Sequence, residues 1–290
     1  MKEEPDGKDL RLFVFLCYNV NTISTHHLLS DMYMQKTVAI IQARMGSTRL
    51  PGKILKPILG WPMLAQMLER VKQAKKIDAI VVATTDKTED DAIAQLAQEC
   101  SVNCFRGDEN DVLDRFYKAA KEAGASIVVR LTGDCPLHDP AVIDEVIGRF
   151  LNNKLDYACT PVNYPEGLDT EVFLFSALER AWKSATLPSE REHVTRYIRN
   201  HPELFNVGEL WKQGDYDYSV MHWSVDTEQD FDFVTKVFEQ LYPVNPRFNK
   251  DDVFELLARR PELLEINKGG TGYEGLAKSL KEDMVVKSHL

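Results

Sequence analysis

Cysteine is scarce in this chain: 5 residues in 290, an odd number, at Cys17, Cys100, Cys104, Cys135 and Cys159. So few and so scattered thiols exclude a disulfide scaffold and fit a reducing, cytoplasmic compartment. Cys100 and Cys104 lie near each other, but no His or further Cys follows at ligand spacing, so ordinary thiols are expected rather than zinc. Long apolar runs are missing as well. None reaches the roughly 18 residues that a spanning helix needs, so a soluble protein with no membrane partner is expected. Basic charge is in deficit, with 35 Lys and Arg against 45 Asp and Glu, a net charge of −10. A surface that acidic argues against nucleic acid as a partner, because such binding rests on basic neutralisation of phosphates. It leaves room for one local anion pocket. What is present is ordinary globular material, 44% hydrophobic and 28% charged, which excludes wholesale disorder.

Residues 1–33 read differently from the rest. Leu10–Tyr18 is apolar but follows an acid-rich start, without the basic region or cleavage site of a secretory signal. The expectation is an N-terminal extension over 1–33 and a single domain over 34–290. Removing the extension should leave folding nearly unchanged.

From Thr37 the pattern is regular. Short β-branched runs at Val38–Ile41, Ala79–Thr84, Val102–Phe105 and Ile127–Leu131 predict strands, and amphipathic stretches predict helices between them. Thr88, followed by three acids, predicts a capped helix start. This alternation means right-handed βαβ units, an α/β fold with a mainly parallel sheet covered on both faces. Ligands of such sheets sit beyond the carboxyl ends of the strands, so the loops after Ile41, Thr85 and Leu131 should share a crevice. Beyond residue 155 shorter, mixed strands are predicted at 156–160, 170–175, 206–211 and 222–225. Helices are predicted at 176–184, 189–200, 231–241 and 251–259. The apolar positions Phe231, Val234, Val237, Phe238 and Leu241 suit either the core or a homodimer interface.

The densest chemistry is Gln42-Ala43-Arg44-Met45-Gly46-Ser47-Thr48-Arg49-Leu50-Pro51-Gly52-Lys53. Three cations, two hydroxyls and two glycines stand in twelve residues directly after the first strand. Arg44, Arg49 and Lys53 offer forked and point-charge donors suited to a polyphosphate, and Gly46 lets backbone approach a ligand. The alternative is a solvated basic loop. The spacing matches neither the Walker loop nor the dinucleotide fingerprint.

This loop resembles the signature of cytidylyltransferases that make CMP-activated sugar acids. The longer match, over IIQARMGSTRLPGK, VVATT, FRGDENDVLDRFYKAA, VVRLTGDCPL, PEGLDTEVF, LPSEREHVTRYI and WSVDTEQDF, resembles the spore coat polysaccharide biosynthesis protein F group. The resemblance implies a nucleotide-diphospho-sugar transferase fold, an αβα sandwich. It also implies CTP and a sugar-acid-like small molecule as partners, and Mg²⁺ on Asp134 and Asp226. By itself each aspartate also reads as a helix cap or turn residue, and Asp230 and Asp232 read as solvated helix-start charges. In the same light Arg44 and Lys53 would stabilise the leaving pyrophosphate. Gln42, Ala43, Gly46, Ser47, Arg49, Thr84, Thr85, Asp86, Arg106 and Gly133 would line the nucleotide, with Arg115 reaching in. On the acceptor side, strand alternation puts Asp169 and Glu171 on one face. Glu190, His193 and Tyr197 are spaced along one helix face beside Arg196. An ion-paired polar helix is the competing reading of that last group, and Arg130 within its strand reads equally as an ion pair or a ligand contact. Two rival enzymes remain, a sugar 1-phosphate nucleotidylyltransferase and a glycosyltransferase, and from another class a non-catalytic sugar-nucleotide sensor.

Overall fold

The computed structural model describes residues 35–269 and 274–287; the extension over 1–33 lies outside them. Strands β1 (Thr37–Gln42), β4 (Ala79–Thr85), β5 (Asn103–Gly107), β6 (Ile127–Thr132), β7 (Tyr157–Cys159) and β8 (Glu171–Leu174) form one sheet in the order β5-β4-β1-β6-β8-β7. The first four are parallel, and β8 and β7 are antiparallel to their neighbours. A two-stranded hairpin, β2 (Pro57–Ile58) with β3 (Trp61–Pro62), leads into helix α1 (Met63–Val71).

Alternation along β1 explains the layering. Ala39 and Ile41 enter a core shared with α1, α2 (Asp91–Glu99), α4 (Pro140–Asn152), α8 (Glu228–Leu241) and α9 (Lys250–Arg259). Val38 and Ile40 enter the opposite core with α3 (Val112–Glu122) and α5 (Phe175–Ser184). Strands buried on both faces are near-continuous hydrophobic runs, which is why they were visible in sequence. Val234, Val237 and Phe238 of α8 are fully buried, so that apolar face packs inside rather than across a dimer. Among the described residues no helix is long and apolar enough to cross a membrane.

Four local readings need correction. Segments 206–211 and 222–225 are not strands. Each makes an isolated bridge, Tyr157 to Val207 and Glu166 to His222, because the chain changes partner before a ladder can extend. The predicted helix over 189–200 splits into α6 (Pro188–Glu192) and α7 (Arg196–Asn200), with His193 at ψ 85°. The break buries Val194 and turns the Thr195 hydroxyl onto Glu171 at 2.6 Å. Glu190, His193 and Tyr197 therefore do not share a helix face. Thr88 caps nothing. It opens a 3-10 turn, and the N-cap of α2 is Asp90, whose carboxylate serves the loop after β1 instead. Asp230 is 2% exposed, not solvated; it accepts from the backbone N–H of Asp226 and Thr227 and closes the capping box of α8.

Candidate active site

The loop after β1 folds onto itself before it can present its cations. The carbonyl of Met45 accepts from Ser47 and Gly52 N–H, and Gly52 takes φ +70°, a backbone glycine tolerates freely. Leu50 and Ile54 bury themselves and anchor the loop. Lys53, starting the next 3-10 turn, is thereby driven inward and is only 7% exposed.

A buried ammonium demands partners, and two segments supply three of them. Lys53 Nζ donates to Asp134 Oδ2 at 2.9 Å, Asp226 Oδ1 at 3.1 Å and the Val225 carbonyl at 2.6 Å. Burial pulls the lysine pKa down, but Asp134 and Asp226 outweigh it and hold it above the ordinary value. Burial likewise opposes ionisation of Asp134, and Lys53 reverses that, keeping this carboxyl below the usual range. Arg49 adds a second cation on Asp226 Oδ1, at 2.8 Å.

Asp134 is placed by a tight junction. Gly133 N–H donates to the Gln42 carbonyl at 2.8 Å, and a Cβ at Gly133 would lie 2.9 Å from that oxygen and 3.0 Å from Ala43 Cβ. Only glycine lets the β6 turn approach β1 so closely. Asp226 is placed by the bond from Val225 N–H to the Asp134 carbonyl, 2.8 Å. Neither aspartate is a cap: α4 is capped by Asp139 and α8 by Thr227. The capping alternatives are thereby removed.

The two carboxylates fit Mg²⁺ by donor chemistry. They are oxygen donors from separate elements, converging on one small cationic group, and Mg²⁺ takes one or two carboxylates plus phosphate and water oxygens. Among the described residues no group of three or more His, Cys, Asp or Glu side chains gathers for a metal.

The other end of the crevice is braced by residues that sequence reasoning missed. Buried Asp90 accepts from Met45 N–H at 2.7 Å, from Thr85 N–H at 3.1 Å and from the Thr85 hydroxyl. It thus ties the β1 loop to the end of β4. Glu109 receives Arg44 at 3.3 Å and also Lys87; a Cβ on Gly46 would sit 3.5 Å from this carboxylate. Arg106 braces the loop after β4 through the Thr85 and Lys87 carbonyls and Asp91. Thr85 and Arg106 therefore spend their polar atoms on the wall itself. Thr84 is buried, and its hydroxyl finds no partner among the described residues. Asp86 is exposed at the rim, and Ser47 Oγ accepts weakly from Leu50 N–H at 3.4 Å. Arg115 does not reach in. It is 2% exposed and donates to the Asp108 carbonyl.

The acceptor-side candidates scatter. Glu171 is consumed by Arg130 at 2.5 Å, Tyr157 OH at 2.5 Å and Thr195. Arg130 also donates to the Gln42 side chain, so this pair is structural. Glu190 accepts from Leu187 N–H at its own helix start. His193 Nε2 meets Ser279 Oγ at 3.2 Å, and Arg196 lines a groove with Leu187, Asp283 and Met284. His193 and Arg196 thus face the C-terminal helix α10 (Glu274–Lys287), and Glu190 turns back on its own helix start. Asp169 is left with Glu166, Glu171 and Arg130 as its charged neighbours and lies near Cys135.

Asp169 is exposed to solvent, but crowding of its carboxyl by neighbouring protein atoms, with repulsion from Glu166 and Glu171, lifts it to about 6 despite the Gly167 N–H it accepts. The unfolded value is lower, so between the two the folded state binds more protons. Stability should therefore fall as pH rises from about 4 through 6. Water screens an exposed carboxyl, so Asp169→Asn is expected to melt only slightly above wild type at pH 7.5 and level with it at pH 4. A gap between the two melting temperatures that ignored pH would refute this environment for Asp169.

Comparison with known proteins adds the chemistry. The Cytidylyltransferase family profile matches residues 38–258. Over 232 residues the chain is 41% identical to an uncharacterized protein of Methanocaldococcus jannaschii, covering 80% of this chain and 94% of that one. Over 234 residues it is 35% identical to the spore coat polysaccharide biosynthesis protein SpsF of Bacillus subtilis, covering 79% and 97%. A solved cytidylyltransferase from Leptospira borgpetersenii superposes with TM-score 0.75 at 34% identity, covering 83% of this chain and all of that one.

Proposed function

This chain belongs to the cytidylyltransferase family, and on that premise we propose that it transfers CMP from CTP to a hydroxyl of a sugar-acid-like acceptor, with pyrophosphate leaving, in surface-glycan synthesis in the cytoplasm. The observation that carries this reading is the convergence of Lys53, Asp134, Asp226 and Arg49 at the carboxyl ends of β1 and β6. The acceptor oxygen forms a bond to the α-phosphorus, and the bond from that phosphorus to the bridging oxygen breaks. Arg44, Arg49 and Lys53 hold the triphosphate and stabilise charge gathering on the departing pyrophosphate. Gln42, Ala43 and Gly46 offer backbone to the nucleotide, with Thr84–Asp86 as the wall beside it. Asp134 and Asp226 would hold Mg²⁺, which when bound neutralises the triphosphate and acidifies the acceptor hydroxyl. Fixing the two reactants in line does much of the rest. Among the acceptor-side candidates, Asp169 with its neighbour Glu166 is the pair best placed to accept acceptor hydroxyls.

CTP should be preferred over ATP and GTP because its pyrimidine is smaller than a purine, and over UTP because backbone near Gln42 and Ala43 would read the exocyclic amine. Pyrophosphate release, measured with the four nucleotides against a panel of sugar acids, checks this. Equal release with ATP would sink the assignment.

A further inference from the structure

His222 has no part in the reaction just described, yet it is placed where the two halves of the site meet. Its side chain is 5% exposed. Nδ1 lies 3.0 Å from Glu166 Oε2, while Nε2 lies 3.2 Å from Ser224 Oγ, 3.8 Å from Asp226 Oδ2 and 3.7 Å from Asp230 Oδ2. The ring thus has one nitrogen on the acceptor loop and the other on the segment that carries Asp226.

The backbone around it is stitched in the same sense. Glu166 N–H donates to the Met221 carbonyl at 3.1 Å, and Trp223 N–H donates to the Glu166 carbonyl at 2.7 Å. Gly167, at φ +104°, passes so close that a Cβ would lie 2.6 Å from Ser224 N. These two bonds and a glycine contact join the Glu166 loop to the segment that carries Asp226. The imidazole supplies a third tie, through side chains.

We propose that His222 is a positioning residue that clamps the Glu166 loop to the Asp226 segment, fixing the acceptor side of the site against the triphosphate side. The part that concerns Asp226 rests on the cytidylyltransferase reading; the clamp itself rests on geometry alone.

The two nitrogens can be separated by substitution. The amide of Asn overlays Nδ1 and that of Gln overlays Nε2. His222→Asn should keep Glu166 and lose the Ser224 and Asp226 side; His222→Gln should do the reverse. The probe is Mg²⁺·CTP, with binding followed by calorimetry and backbone exchange at Glu166 and Trp223 followed by mass spectrometry or NMR. In His222→Gln those amides should exchange about tenfold faster, as one bond to a charged group is lost, with Mg²⁺·CTP affinity nearly unchanged. In His222→Asn protection should persist while Mg²⁺·CTP binds about tenfold more weakly, the scale of losing a partner behind a metal ligand. His222→Ala should show both defects. Identical behaviour of the Asn and Gln variants on both readouts would overturn the proposal, since a merely structural ring predicts no such split. So would an Ala variant unchanged in both. Failure of the wild-type protein to bind Mg²⁺·CTP would overturn the cytidylyltransferase reading and the Asp226 part with it, while the exchange measurements would still decide the clamp.

Discussion

Lys53→Met is expected to lower turnover by about 10³-fold, the scale of removing a preorganised charge from a transition state. The stability change should be as informative. In the wild type the Lys53 ammonium lies between Asp134 Oδ2 and Asp226 Oδ1, with their side chains only 30% and 14% exposed. Deleting one partner of a buried ionic group costs about 3–5 kcal/mol, and the water reaching Asp134 places this case at the lower end. Methionine fills the space of the lysine stem, so the loss is electrostatic rather than a cavity. A divalent cation should then do what the ammonium did. Adding Mg²⁺ should raise the melting temperature of Lys53→Met well beyond its effect on wild type, where the gap already holds a charge. Turnover should not return, because the lysine charge proposed to steady the departing pyrophosphate is missing. Melting curves and pyrophosphate release across a Mg²⁺ series check both halves. A Lys53→Met protein with wild-type turnover, or one indifferent to Mg²⁺, would mean the lysine only holds two loops together.

Much of this arrangement was legible in the sequence, and what escaped has a physical pattern. Strands β1, β4 and β6 announced themselves because burial on both faces leaves continuous β-branched runs such as Val38–Ile41. Lys53 stood out as one of three cations crowded into the loop after β1, whereas Asp134 and Asp226 stood out only through the family resemblance, each alone reading equally as a cap or turn residue. Segments 206–211 and 222–225 misled because apolar residues in an extended chain look the same whether they pair once or along a ladder. Asp90 was invisible as a brace. Its partners are the backbone N–H groups of Met45 and Thr85, and backbone donors carry no residue signature. The Thr-Glu-Asp-Asp run around it matched a helix start, and local pattern cannot tell a capping carboxylate from one turned inward. Glu171 was misread for a related reason: an acid on a strand face reports that it needs a partner, and Arg130, Tyr157 and Thr195 answer from within the fold.

The same ambiguity between cap and site at Asp226 yields the other large effect. Thr227, one residue on, is the true N-cap, its hydroxyl accepting from Asp230 N–H at 3.3 Å. Thr227→Ala should therefore cost about 1 kcal/mol of stability, the usual loss of a cap, with turnover close to wild type. Asp226→Asn and Asp134→Asn should show the opposite balance. Asparagine keeps an oxygen for Lys53, and Lys53 keeps the other aspartate and the Val225 carbonyl, so either variant should fold and lose only about 1–2 kcal/mol of charge-assisted bonding. Turnover should fall by about 10²–10³-fold, because the charge that would hold Mg²⁺ against the triphosphate is halved. High Mg²⁺ should recover part of that loss in the two Asn variants and none of the loss in Arg44→Ala, whose side chain makes its ion pair with Glu109 rather than with either aspartate. Melting temperature and CTP turnover of the three single variants, measured over a Mg²⁺ titration, separate the roles. Asn variants that turn over at the wild-type rate in low Mg²⁺ would reduce Asp134 and Asp226 to anchors for Lys53, and the proposed metal site would be wrong.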